Sequence, residues 1–309
     1  MRPYTYAQVR TVHEAVRGAE PGTAFLAGGT TLVDLMKLEV MSPDRVVDIN
    51  RLPLDGITLD HEGLHVGALE RMSDVAAARA VRRHYPMIAQ ALELSASAQL
   101  RNMASIGGNL LQRTRCSYFR DVTTPCNKRE PGSGCSALEG INRGDLAVPL
   151  VALSTTVHLA SARGTRTVPL ETFYTLPGAT PEVENVLRPN ELVTGITVPR
   201  SPWAAHSLYL KVRDRQSYEF ALTSAAVALH LRGRTIVNAR IAVGGVATRP
   251  WRLTAVERAL TGRPATSATF EAAVAGAADG ARPREHNRFK PALLRRTLVR
   301  ALTELQENQ

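Results

Sequence analysis

Apolar positions change period along the chain, and over the first seventy residues short helical and extended stretches alternate. Val9, Val12, Ala15 and Val16 recur at helical spacing, Ala24-Phe25-Leu26-Ala27 reads as a short buried strand, and Leu32, Leu35, Met36 and Leu38 return to the helical period. Residues 45–49 form another apolar strand, and 57–59 with 64–68 make a hairpin pair around His61-Glu62-Gly63. Helical patterns follow over 73–84 and 86–100. Buried structure resumes at 145–153, with strands expected at 155–160 and 192–198. The character changes near Pro199: residues 208–213, 221–231 and 237–246 are extended runs, the last two joined by Arg232-Gly233-Arg234, and helical periodicity closes the chain. This order predicts an α/β first half, 1–199, and a smaller α+β second domain, 200–309, in which helices back an antiparallel sheet. The linker falls at 188–190 or 199–202.

Composition narrows the class. A chain of 309 residues, 44% hydrophobic and 21% charged, can bury a sizeable core and is neither disordered nor fibrous. Its longest apolar runs, such as 225–229, fall far short of the roughly 18 residues of a membrane span. Met1-Arg2-Pro3-Tyr4-Thr5-Tyr6 lacks the apolar core of a signal peptide. The expected location is cytoplasmic, or periplasmic by co-export with a signal-bearing partner. A net charge of +10 raises the question of nucleic acid. Against it, the basic residues are spread along the chain, aromatic content is 5%, and no nucleic-acid-binding motif is present. The densest basic stretch, 282–300, carries Phe289, Leu293, Leu294 and Leu298, with Ala301 just beyond, near helical spacing, and reads as an amphipathic helix with a solvated or partner-facing basic side.

Two glycine turns offer the first chemistry. Gly28-Gly29-Thr30-Thr31 lies between a strand and a helix, where backbone N–H groups can converge on an anion. Ala104-Ser105-Ile106-Gly107-Gly108-Asn109 is a second small-residue turn that a ligand can approach closely. Neither matches Gly-x-Gly-x-x-Gly, so no separate nicotinamide site is expected. The three cysteines, Cys116, Cys126 and Cys135, fall within twenty residues in loop-like contexts, which points to iron–sulfur ligation; Arg113, Arg115, Arg120, Lys128 and Arg129 are placed to stabilise thiolates. One disulfide with a spare thiol is the alternative. The eight histidines show no metal-ligand spacing, and His61, His158 and His230 read as surface or satisfied strand residues.

Together these segments resemble, almost end to end, the FAD-binding medium subunit of the xanthine dehydrogenase, aldehyde oxidoreductase and carbon monoxide dehydrogenase family. The resemblance implies a two-part FAD-binding domain of the PCMH type (vanillyl-alcohol-oxidase-like) with an iron–sulfur loop at 110–143, followed by a CO-dehydrogenase-flavoprotein-like C-terminal domain. It assigns Leu26, Ala27, Gly28, Gly29, Thr30, Thr31 and Leu32 to the first FAD pyrophosphate loop and Ser105, Gly107, Gly108 and Asn109 to the second. Asp145 would reach the flavin side, Lys211 would lie near the ring and favour its anionic reduced form, and Tyr218 would cover the ring face. The cysteine stretch resembles the FAD subunits of bacterial periplasmic molybdenum aldehyde oxidoreductases of the PaoABC type, implying a [4Fe-4S] cluster on Cys116, Cys126 and Cys135. Those subunits supply a fourth cysteine from a segment before the Asp-Leu motif, whereas here Asn142-Arg143 runs directly into Gly144-Asp145, which implies either a deletion leaving a three-thiolate cluster with an open or non-cysteine fourth position, or a mobile segment missing from the sequence as given. Implied partners are a molybdenum-cofactor large subunit and a [2Fe-2S] small subunit, in an αβγ heterotrimer or larger, with this chain passing electrons to an external acceptor. The alternatives are the FAD subunit of a 4-hydroxybenzoyl-CoA-reductase-like enzyme and a non-catalytic iron–sulfur or interaction subunit.

Overall fold

In the computed structural model, which describes residues 1–137 and 144–307, β1 (Thr5–Gln8), β2 (Thr23–Leu26) and β3 (Arg45–Asp48) form a parallel sheet with β3 in the centre. Short helices, Val12–Arg17 and Leu32–Lys37, separate the strands in sequence. The first is closed by a capping box: the Thr11 hydroxyl accepts from the Glu14 N–H, and the Glu14 carboxylate accepts from the Thr11 N–H. Its Ala15 and Val16 pack with Val47, Ile49, Leu52, Leu69 and Leu192.

A second sheet contains β4 (Ile57–Leu59), β5 (Gly63–Gly67), β6 (Thr156–Ser161), β7 (Gly164–Pro169) and β8 (Leu192–Pro199) in the order β4-β5-β8-β6-β7. Both sheets belong to one compact unit, Met1–Val75, Ala98–Ala137 and Thr155–Val198. Strands β1 and β7 are absent from the sequence-based expectation. Each shows water most of its side chains, so neither carries the apolar alternation that reveals a strand.

The other unit comprises Ala76–Ser97, Leu138–Ser154 and Pro199–Gln309. Its antiparallel sheet runs β12-β11-β10-β9, with β9 at Ser207–Val212, β10 at Thr223–Arg232, β11 at Thr235–Gly244 and β12 at Trp251–Arg252. Ala225, Val227 and Leu229 of β10 pack in one cluster with Val256, Leu260, Phe270, Leu294 and Leu298 from the closing helices. The alternate residues Ala226 and Ala228 are also fully buried, and helix Ala147–Ala152 packs against β10 and β11. That helix is the buried structure expected at 145–153.

Helix Pro86–Glu93 joins this unit through β9, where Gln90 Oε1 accepts from the Tyr209 N–H at 2.7 Å. The compact units therefore interleave along the chain, whereas a sequence boundary near 199 is a single cut. The expected helices at 73–84 and 86–100 resolve into Met72–Ala77, Arg79–His84, Pro86–Glu93 and Ala98–Met103, with Pro86 opening the third. The closing helix starts at Lys290 and buries Leu294, Leu298 and Ala301, while Phe289 stays exposed before it. Among the described residues no helix is long and apolar enough to cross a membrane.

Candidate functional site

Where β2 ends, the chain turns through 27–31 into helix Leu32–Lys37. Helical bonds begin with Val33 N–H to Gly29 O and Leu35 N–H to Thr31 O. Upstream of them, the N–H groups of Gly28, Gly29, Thr30, Thr31 and Leu32 have no hydrogen-bond partner among the described residues, nor do the hydroxyls of Thr30 and Thr31. All five residues are only partly exposed. A run of adjacent free donors in a partly covered turn is what a polyanion needs, since each N–H can give a charge-assisted hydrogen bond to phosphate oxygen. The donor set fits a dinucleotide pyrophosphate.

The second turn serves differently. Ile106, Gly107, Gly108 and Asn109 donate their N–H groups to Glu70 O, Ala68 O, Ser105 Oγ and Ser105 O. The N–H groups of residues 106–109 are thus bonded within the chain and brace the second turn against Ala68 and Glu70. A Cβ on Gly28 would lie 1.8 Å from Met103 O, just ahead of the second turn, and one on Gly107 would lie 3.0 Å from Ala68 Cβ. Glycine at 28 is required by protein packing before any ligand arrives, and at 107 a side chain would press on Ala68. Ser105 is buried as the cap of helix Ile106–Leu110, and the Asn109 side chain contacts Met72 Sδ and Gln112.

Two residues outside the sequence-based assignment tie the turns together. Asn50 Nδ2 donates to Ala27 O at 3.0 Å and to Asp48 Oδ1 at 2.8 Å. Arg71 bridges Asn50 Oδ1 and Met103 O at 3.2 and 2.5 Å. Burial alone would raise the Asp48 pKa, but hydrogen bonds from Tyr6, Asn50 and Gln8 hold it below the ordinary carboxylate value. The anchor thus stays ionised at neutral pH. A usable signal was present: Asn50 follows the end of β3, and ligands of parallel sheets gather at the carboxyl ends of strands.

The cysteine loop is fastened by its own basic residues. Arg115 and Arg120 pair with Asp34 on helix Leu32–Lys37, at 3.4 and 2.7 Å. Lys128 and Arg113 pair with buried Glu184, at 2.9 and 3.5 Å, and the Arg113 guanidinium lies over the Phe119 ring. Arg129 donates to the carbonyls of Tyr118, Phe119 and Thr124. These cations, expected beside thiolates, instead bind carboxylates and carbonyls, which satisfy a buried guanidinium or ammonium better than a neutral thiol does. Cys126 is buried with Leu35 and Phe119, Cys116 packs against the same cluster, and Cys135 is exposed opposite Cys126. All three thiols are free, and among the described residues no three His, Cys, Asp or Glu side chains form a metal-holding group. The junction at Asn142-Arg143 lies outside the described residues, as does the end of the 110–143 loop.

In the second unit Asp145 and Lys211 meet. Lys211 Nζ donates to Asp145 Oδ2 at 2.8 Å and to Leu94 O at 3.0 Å, and Tyr209 Oη donates to Asp145 Oδ1 at 2.7 Å. Lys211 is 1% and Asp145 7% exposed at the side chain. Burial, then the Asp145 charge, pushes the Tyr209 hydroxyl well above its ordinary pKa. The Lys211 ammonium is thus paired with the Asp145 carboxylate. Tyr218 is 57% exposed, beside the Arg215 guanidinium.

His158 is a satisfied strand residue: its Nε2 lies 2.7 Å from Thr197 Oγ1, and His65 Nδ1 lies 3.0 Å from the same oxygen. Burial, then the neighbouring His65, lowers the His158 pKa. The unfolded chain then binds the extra proton more readily, so stability present above about pH 6.5 should be lost as pH falls through the lowered folded value. Thermal melts between about pH 5 and 7 should show a weaker pH dependence in His158→Gln, and an unchanged dependence would refute this reading.

Comparison with known proteins covers both halves of the chain. Residues 1–201 match the family described as the FAD binding domain in molybdopterin dehydrogenase, and residues 208–305 match the CO dehydrogenase flavoprotein C-terminal domain. The chain is 43% identical to the aldehyde oxidoreductase FAD-binding subunit PaoB of Escherichia coli, covering 98% of each chain. It is 32% identical to the glyceraldehyde dehydrogenase medium chain of Sulfolobus acidocaldarius over 84% of this chain and 82% of that one. Among solved structures, a carbon monoxide dehydrogenase chain from Hydrogenophaga pseudoflava superposes with a TM-score of 0.81 at 26% identity, covering 99% of this chain and 98% of that one.

Proposed function

Because this chain belongs to the FAD-binding family of molybdopterin dehydrogenases, we propose that it is the flavin subunit of a molybdenum-containing aldehyde oxidoreductase. In that role it takes electrons from a molybdenum-cofactor large subunit through a [2Fe-2S] small subunit and passes them to an external acceptor. Bound FAD supplies one- and two-electron redox chemistry. The observation that carries the reading is the row of free N–H donors from Gly28 to Leu32.

In this reading residues 26–32 hold the pyrophosphate, with the Thr30 and Thr31 hydroxyls adding contacts. Asn50 and Arg71 fix the turn, and Ser105, Gly107, Gly108 and Asn109 buttress it. Asp145 pairs with Lys211, so their contribution is a rigid, hydrogen-bonded ion pair of zero net charge. No general acid or base is assigned, since aldehyde oxidation belongs to the molybdenum subunit. The relative with the aldehyde oxidoreductase name favours aldehydes as the substrate class.

A [4Fe-4S] cluster on Cys116, Cys126 and Cys135 is the finer part of the proposal. The sharing of one loop by all three thiols supports it, but three thiolates leave a four-ligand set incomplete. Iron and sulfide analysis per chain decides it.

Flavin released on denaturation should reach one FAD per chain when the complex is purified gently, together with a molybdenum-bearing partner. Asn50→Ala, which loosens the turn without touching its donors, should weaken FAD retention about tenfold, the equivalent of about one hydrogen bond. A complex that releases no flavin would overturn the proposal.

A further inference from the structure

Only one nitrogen of His158 is used in its contact with Thr197. His65 meets the same hydroxyl through Nδ1 and reaches Asp60 Oδ1 at 3.1 Å through Nε2. Hydrogen bonds from the Gly63 N–H, then His65 and the Glu62 N–H, hold the Asp60 pKa below the ordinary carboxylate value. An ionised carboxylate can only accept, so neutral His65 carries its proton on Nε2 and its Nδ1 is bare. Thr197 must then give its hydroxyl proton to His65 Nδ1, while its oxygen accepts from His158 Nε2–H. The chain of proton positions ends at His158 Nδ1, a lone pair with no partner among the described residues. Burial, then His65, lowers the His158 pKa, so this lone pair is available at neutral pH.

His65, His158 and Thr197 border a hollow of about 260 Å³ whose walls also include Asp55, Thr58 and Thr194. None of those last three side chains has a hydrogen-bond partner among the described residues. The charge around the hollow is negative: Asp55 stands in the wall, Asp60 lies behind His65, and Glu70 Oε1 accepts the Gly56 N–H at 2.6 Å. No lysine or arginine is among the described residues that line it. Acceptors beside carboxylates select a cation that carries N–H donors. A metal ion matches less well, because no three His, Cys, Asp or Glu side chains among the described residues form a metal-holding group. The hollow is smaller than the roughly 300–1,000 Å³ of drug-sized pockets, so its occupant is small. We propose that it binds a primary ammonium group, with His158 Nδ1 and the Asp55 carboxylate accepting its N–H bonds and the Asp60-His65-Thr197 chain fixing which nitrogen of His158 is bare. The ammonium belongs to a small free amine or to a lysine of a partner protein. Neither the turn at 27–31 nor the cysteine loop takes part, so the site stands apart from the flavin reading.

The test uses the full chain with isotopically labelled histidine, in which NMR reads each ring nitrogen and His158→Gln assigns the pair. At neutral pH, Nδ1 of His158 should give the resonance of a bare nitrogen and Nε2 that of a protonated one. Methylammonium should shift the Nδ1 resonance saturably. Tetramethylammonium, which has the charge without the N–H donors, should not do so at equal ionic strength. Asp55→Asn should weaken methylammonium binding at least about tenfold, the equivalent of one charge-assisted hydrogen bond. Thr197→Val, which cuts the chain of proton positions, should leave His158 a mixture of tautomers. In the assembled complex, a site for free amines gives the same titration, whereas a partner's lysine leaves Nδ1 already shifted and unresponsive; either result keeps the ammonium site. A proton on Nδ1 at neutral pH, an equal response to both cations, or no response from the isolated chain would overturn the proposal.

Discussion

Gly28→Ala should strip FAD from the protein and lower its melting temperature together. The new methyl carbon would sit 1.8 Å from Met103 O and 2.7 Å from the Met103 carbonyl carbon, both backbone atoms with no rotamer into which to withdraw. The two turns must then part. Overpacking of this kind costs about 1–3 kcal/mol and more when backbone has to move. Losing alignment for even two charge-assisted phosphate contacts, at about 1.5–3 kcal/mol each, would weaken FAD binding by about a hundredfold or more. Gly29→Ala is the informative control. Gly29 has φ +72°, so alanine there strains the backbone by about 1–3 kcal/mol. Its Cβ would meet only the Leu26 and Val33 side-chain methyls, at 3.2 Å each, which can shift. The loss should therefore be milder than at position 28. Flavin fluorescence after denaturation and a thermal melt read both effects; wild-type values for Gly28→Ala would mean that the turns do not abut.

The second large effect is expected at the buried pair. Asp145→Ala leaves the Lys211 ammonium with Leu94 O alone and removes the acceptor of the Tyr209 hydroxyl. Uncoupling one member of a buried ion pair typically costs about 3–5 kcal/mol, because the survivor keeps its desolvation penalty without compensation. Lys211→Met should cost a similar amount, and the double variant Asp145→Ala with Lys211→Met less than the sum of the singles. Denaturant unfolding measures all three. Additive losses would show that the pair is not coupled.

Strands whose apolar residues run continuously or alternate, such as β2, β3, β8 and β10, were legible from sequence, as was the strand-turn-helix context of Gly28 and Gly29. The division of labour between the turns was not. Whether an N–H is free depends on its acceptor, and the acceptors of the second turn, Ala68 O and Glu70 O, lie more than thirty residues upstream. The same limit concealed the partners of the cysteine-loop cations: Asp34 and Glu184 flank that loop in sequence at great distance on either side. Asp145 and Lys211 could be singled out by resemblance, but their contact with each other is tertiary.

Helix Leu32–Lys37 carries the free-donor turn at its start and, through Asp34 and Leu35, the cysteine loop along its flank. Two sites resting on one short rod share its free energy, and linkage is reciprocal: whatever factor one occupant contributes to the other's affinity is returned in equal measure. Titrating nucleotide into protein whose cysteine loop has been chemically altered would then yield a dissociation constant belonging to that altered protein, and not to the native chain.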